Sequence, residues 1–104
     1  MSLFSLENNL YEIIEYNIRA YRGRNPRIRF KVESEYPISI HLVDVTGVED
    51  FEKNEQFDTY ASRDDTTYFE TKITLPHTGR WFLIMRNDGG NTTCVYYETQ
   101  IFTK

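Results

Sequence analysis

Two histidines, one cysteine and two concentrations of charge carry whatever chemistry this chain of 104 residues can perform. His41 and His77 are the only side chains whose ordinary pKa places a proton exchange near neutral pH. His41 is out of phase with its apolar neighbours Ile40 and Leu42, which predicts an outward position on a strand, and His77 lies inside the turn Pro76–Gly79. Neither belongs to a nucleophile elbow, a metal-binding helix or a phosphate loop, and Gly89-Gly90 lacks the spacing of a phosphate cradle. No catalytic residue and no cofactor is therefore expected. Cys94, as the single cysteine, can form neither an intrachain disulfide nor a cysteine zinc cage, and it reads as a small, partly buried strand residue.

The charges are more informative than the imidazoles. Asp44, Glu49, Asp50, Glu52, Glu55, Asp58, Asp64 and Asp65 are half of the 16 acidic residues and fall close together. Loops at one end of a β-fold can offer several oxygens to calcium, but no fixed calcium-loop spacing is present; Asp44, Glu49, Asp50 and Glu52 are expected among the residues that contact a ligand or partner. A solvated acidic loop is the preferred reading, with Asp44 accepting backbone N–H bonds as the chain leaves its strand. Arg19, Arg22, Arg24, Arg27, Arg29 and Lys31 are half of the 12 cationic residues. On a hairpin they would cluster on one outer face and its tip, where Arg22, Arg24, Arg27 and Arg29 could hold phosphates of a lipid headgroup or a nucleotide. A net charge of −4 argues against generic nucleic-acid binding.

These residues need elements to position them, and the alternation is that of strands. An aromatic content of 15% suits pleated, half-buried surfaces. Ile28, Phe30 and Val32 alternate with Arg27, Arg29 and Lys31. Ile38, Ile40 and Leu42 repeat the pattern, as do Phe69, Thr71, Ile73 and Leu75, and Val95, Tyr97, Thr99 and Ile101. The run from Trp81 to Met85 reads as a central strand covered on both faces. Tyr11 to Tyr21 reads as a strand that forms a hairpin with the next through the turn "RGRNP", a helix over residues 6–21 being the alternative. The polar segment Thr46 to Thr67 is expected as one long connection. About seven or eight short strands predict an all-β fold: a single antiparallel two-sheet sandwich or jelly roll filling residues 1–104, with 1–10 as a loosely attached extension.

The stretches "ISIHLVDVTGVEDFEKNEQFDTY" and "ITLPHTGRWFLIMRNDGG" resemble a family of small bacterial β-sandwich domains of unknown function, some of which accompany TIR signalling domains. The shared pattern is a Leu-x-Asp step (Leu42, Asp44), then Phe51, then Pro76, Gly79, Arg80, Trp81 and the pair Gly89, Gly90. A looser similarity is to GOLD-type jelly rolls. The resemblance implies a fold and an accessory role, and supplies no catalytic residues. Arg86-Asn87-Asp88 departs from the family's shorter acidic step.

No apolar run reaches the roughly 18 residues of a membrane span, and the first residues lack a secretory pattern, so a cytoplasmic location is expected. The sequence is read as a non-catalytic binding or protein-interaction module. It would associate with a protein partner or with itself through the basic hairpin and the acidic loop. The alternatives are an anionic-ligand binder and a calcium-dependent module. In this reading Pro76, Gly79, Trp81, Gly89 and Gly90 are scaffold: they set a turn, fill the core and reverse the chain.

Overall fold

The strand that begins at Arg27 does not stop at Val32. In the computed structural model, which describes residues 2–19 and 25–102, the alternation lapses from Glu33 to Pro37 and resumes at Ile38 within one strand of 18 residues, Arg27–Asp44. That strand organises the molecule. The elements in order are β1 (Ser2–Leu6), β2 (Tyr11–Ile18), β3 (Arg27–Asp44), α1 (Val45–Glu52), β4 (Ala61–Thr74), β5 (Gly79–Arg86) and β6 (Thr93–Phe102). Every pairing is antiparallel.

β4 follows one side of β3 along most of its length, from Arg27↔Thr74 to Leu42↔Ala61. The other side of β3 is divided. Its first half pairs with β6, from Arg27↔Phe102 to Ser34↔Val95, and its second half with β5, from Ser39↔Arg86 to Asp44↔Trp81. The register with β4 shifts between Glu33 and Ile38, around Pro37, whose missing N–H cannot continue a ladder. β3 thereby belongs to two leaves. The first, sheet I, carries β1, β6, β3 and β4; the second, sheet II, carries β2, β5, β3 and β4. Tyr16 on β2 hydrogen-bonds Thr99 on β6, so the leaves lie face to face. The fold is all-β, as two packed antiparallel layers.

The interior is what alternation places there. Ile28, Phe30, Val32 and Val95 enter from sheet I, and Ile38, Ile40, Leu42, Trp81, Leu83 and Met85 from sheet II, all buried in one cluster. Each such side chain contributes about 1.5–3 kcal/mol on burial. Val43, Phe82 and Ile84 point the other way, and Val48 and Phe51 of α1 cover them with Ile13 and Phe57 at the margin. This makes a third layer over sheet II, and it is why Trp81 to Met85 are buried without alternation.

Several expectations change. The N-terminal segment is strand, as preferred, but β2 pairs with β5, from Tyr11↔Arg86 to Ile18↔Gly79. No ladder joins it to β3, because Ile18 belongs to sheet II and Ile28 to sheet I. Residues 1–10 are no loose extension, since β1 pairs with β6 over five residues and buries Leu6. The Thr46 to Thr67 segment is no single loop: it holds most of α1 and the start of β4. Among the described residues six strands build the two layers, β3 and β4 being long. Arg27, Arg29 and Lys31 sit on an internal strand with partners on both sides. Cys94 is exposed rather than partly buried.

Pro76 opens the turn, Gly79 takes a φ of 114° that a side chain would resist, and Trp81 is fully buried. Gly89 and Gly90 reverse the chain between β5 and β6. Beside them Asn87 is fully buried: its amide donates to Leu6 O at 2.9 Å and Asn91 O at 2.6 Å, and its carbonyl accepts from Gly89 N. It ties β1 to the β5–β6 link.

Candidate binding surface

The two leaves differ on the outside. Sheet II has α1 over it. The helix packs against β3 and β5 and, through Phe51, against Tyr11 of β2, all strands of sheet II, and the outer face of sheet I keeps Leu3 and Tyr68 exposed. Alternation puts the even-numbered residues of β6 and β4 and the odd-numbered residues of the first half of β3 on this face, and register sets them in rows. Leu3, Tyr96, Glu33 and Tyr68 form one row across β1, β6, β3 and β4. Glu98, Lys31 and Glu70 form the next, then Gln100, Arg29 and Lys72, then Phe102, Arg27 and Thr74. Leu3 is 71% exposed and Tyr68 47%, whereas Tyr96 and Phe102 are half-buried by their neighbours.

The charges here are paired. Arg29 bonds Glu70 through Nη2 and Gln100 through Nη1, and the Tyr68 hydroxyl donates to the other oxygen of Glu70 at 3.2 Å. Lys31 Nζ lies 3.5 Å from Glu98, which accepts a second bond from Tyr96 OH at 3.1 Å. Lys31 also lies over the Tyr96 ring, and Arg27 and Lys72 both lie over Phe102. The Glu98 carboxylate holds the Lys31 ammonium above its ordinary pKa, and the Tyr96 hydroxyl and Lys31 hold Glu98 below its own. Exposed pairs of this kind contribute little to stability, about 0–1 kcal/mol each. What they do is fix long side chains in one arrangement. Four cations (Arg27, Arg29, Lys31, Lys72) face three carboxylates (Glu33, Glu70, Glu98), so the patch is nearly neutral and not the electropositive surface that the series Arg27, Arg29, Lys31 suggests.

A second feature lies at the other end of β3, an open groove of about 470 Å³ lined by Asp44, Val45, Thr46, His77, Thr78, Gly79 and Arg80. Its polar groups are occupied. Asp44 caps α1, with Oδ1 accepting from Gly47 N at 3.0 Å and Oδ2 from Tyr60 OH at 3.1 Å. His77 stacks on Trp81 at 4.7 Å between centroids, has Nε2 3.7 Å from Asp44, and meets the Thr78 carbonyl through Nδ1. Burial pushes the Asp44 carboxyl up, but the Gly47 and Tyr60 bonds and the nearby imidazole outweigh it, and the group stays below its usual range. No hydroxyl or thiol nucleophile among the described residues hydrogen-bonds the outer nitrogen of His77. The groove binds α1, β4 and the β4–β5 turn together. Arg80 turns instead to Glu15 of β2 at 2.8 Å.

His41 projects out of phase with the core, as its position predicts, yet the α1 side covers it. Its ring meets Phe57 edge-on, Nδ1 pairs with Ser62, and Asp64 is 3.7 Å away. Burial pushes its pKa below the ordinary histidine value, with Asp64 opposing in part.

The residues singled out by sequence are thus distributed. Arg22 and Arg24 lie outside the described residues. Arg27 and Arg29 are on the outer face of sheet I, whereas Asp44 is a helix cap and Glu49, Asp50 and Glu52 are on α1, beyond sheet II. The two charge clusters therefore stand on opposite sides of the molecule. Among the described residues no three His, Cys, Asp or Glu side chains gather in a metal-binding arrangement. Sequence reasoning missed Leu3, Tyr68, Glu70, Lys72, Tyr96, Glu98 and Phe102. The signal was the other phase of the same alternation, read inward for the core and not outward for the surface.

No family model matches the chain, and no curated protein matches it. Among solved structures the chain is similar to a mutant of a family 29 carbohydrate-binding module complexed with cellulohexaose. The match has 10% identity and a TM-score of 0.41, and covers 97% of this chain and 89% of that one. No helix among the described residues is long and apolar enough to cross a membrane.

Proposed function

We propose that this domain is a non-catalytic protein-interaction module whose contact surface is the outer face of sheet I. The observation that carries the reading is the contrast between the leaves. One outer face is closed by α1; the other is left open with tyrosine, phenylalanine, leucine and arginine side chains in cross-strand rows. Aromatic residues and arginine are the types enriched where proteins meet. Side chains already held by ion pairs and cation–π contacts lose less freedom on binding. Near-neutrality favours another folded protein over a phosphate-bearing polymer, which needs a surplus of cations to displace its counterions.

The role as an accessory module beside signalling domains belongs with this reading, and so does a cytoplasmic setting. The test is affinity isolation from the native cell with three baits: the wild-type domain, a Tyr96→Ser/Phe102→Ser variant, and a Glu49→Lys/Glu52→Lys variant on α1. The expected result is a protein partner lost with the first variant and kept with the second. Partner retention by the Tyr96/Phe102 variant contradicts the proposal. Two further arms use soluble β-glucan oligosaccharides and phosphatidylserine vesicles; Tyr96-dependent binding to either, with no protein captured, replaces it.

A further inference from the structure

β4 is internal to neither leaf. Among the described residues it pairs only with β3, so one side of the whole span Ala61–Thr74 is a free sheet edge. Its two halves differ. In the upstream half Asp65 has a φ of 52°, the register with β3 shifts, and the Thr66 hydroxyl bonds both the N–H and the carbonyl of Tyr68. Such a distortion blunts an edge. The downstream half, from Phe69 to Thr74, keeps an unbroken register with β3.

The direction of its backbone groups follows from two bonds. Leu75 N–H donates to Pro26 O at 2.8 Å, across from β3's start, whereas Tyr68 N–H is taken by Thr66 Oγ1 and not by β3. Because antiparallel ladders alternate every residue, odd-numbered residues bond β3 and the N–H and C=O groups of Glu70, Lys72 and Thr74 face outward.

We infer that β4 pairs with β4 of a second copy of this chain, antiparallel about Thr71, so that Glu70 stands opposite Lys72 of the partner and Lys72 opposite its Glu70. Parity admits only registers that bring even residues together. A shift of one step in either direction sets Glu70 against itself or Lys72 against itself, and like charges directly opposite are unfavourable. The register about Thr71 alone makes both charge pairs, and each pair exchanges two backbone hydrogen bonds. On the inner side Phe69 meets Ile73 of the second copy. The other free edges among the described residues lack this complementarity: β1 has five residues, β2 carries Glu12 and Glu15 with no cation between Tyr11 and Ile18, and the part of β6 beyond β1, Glu98 to Phe102, carries Glu98 with no cation. The pairing joins the two sheet I leaves into one continuous sheet, with the faces that carry Tyr96 side by side. It uses the edge and not the face, so it stands or falls independently of the proposed contact surface.

Sedimentation equilibrium tests it. The wild-type protein should move from the mass of one 12.4 kDa chain towards twice that mass as concentration rises into the millimolar range, and less readily at high salt. Glu70→Lys alone and Lys72→Glu alone should each stay monomeric, because each places like charges opposite. An equimolar mixture of the two should dimerise again, since a chain with two lysines meets a chain with two glutamates. Lys72→Pro, which removes an outward N–H and leaves the β3 ladder intact, should also be monomeric. Circular dichroism confirms that each variant is folded. A wild-type protein that remains one chain throughout overturns the inference. So do single charge variants that dimerise as well as wild type, or a mixture that does not.

Discussion

His41 shows how one residue can be read correctly in phase and wrongly in environment. Its place between Ile40 and Leu42 turns it away from the main core, as the alternation requires, but α1 and Phe57 cover that side. A proton is therefore disfavoured on the folded ring and more readily taken by the unfolded chain. A group displaced in this direction gives stability that is present above its unfolded pKa, about 6.5, and lost as pH falls through the folded value. Urea unfolding between pH 7 and pH 5 should show stability falling with acid, and His41→Gln should flatten that slope; the Asp44, Glu15 and Glu98 carboxyls, each held below its usual range, act below this window. An unchanged slope in the variant assigns the acid sensitivity elsewhere. Asp44 was legible in the opposite sense. An acidic residue leaving a strand implied accepted backbone N–H bonds, and the bond from Gly47 is there.

At the scale of elements, the strands were legible and their partners were not. Ile28, Phe30, Val32, Ile38, Ile40 and Leu42 declare a buried face by period, but nothing in them says that β3 runs through Pro37 and serves two leaves. Pairing is decided by which layer a buried face must fill, and that is a property of the whole chain. The helix was missed because polar residues dominate Thr46 to Thr67, although Asp44, Val48 and Phe51 give a cap and one apolar side. Gly47 of α1 lies close against Val43 of β3. A Cβ there would stand 2.7 Å from Val43 Cβ and 3.2 Å from Asp58 O. Gly47→Ala should thus cost about 1–3 kcal/mol through overpacking despite alanine's better helix propensity. Equilibrium denaturation measures it, and a variant as stable as wild type would show that the helix does not sit against Val43.

For the whole molecule the order of layers matters most: open face, sheet I, core, sheet II, α1. The acidic α1 and the cationic residues of β3 are held apart by the full thickness of the sandwich. The cationic residues are, however, matched in place by Glu33, Glu70 and Glu98 from β3, β4 and β6. That neutralisation was illegible because it depends on which strands flank β3. Cys94, the single cysteine, is exposed on the outer face of sheet I two residues from Tyr96, and it offers a native handle there. The most direct measurement couples a photoreactive maleimide to Cys94 and, as control, to a cysteine at Thr46 in a Cys94→Ser background, then irradiates each in extract of the native cell. The proposed surface predicts a discrete cross-linked protein from the Cys94 probe that the Thr46 probe does not yield. A cross-link from Thr46 alone, or none from Cys94, contradicts it.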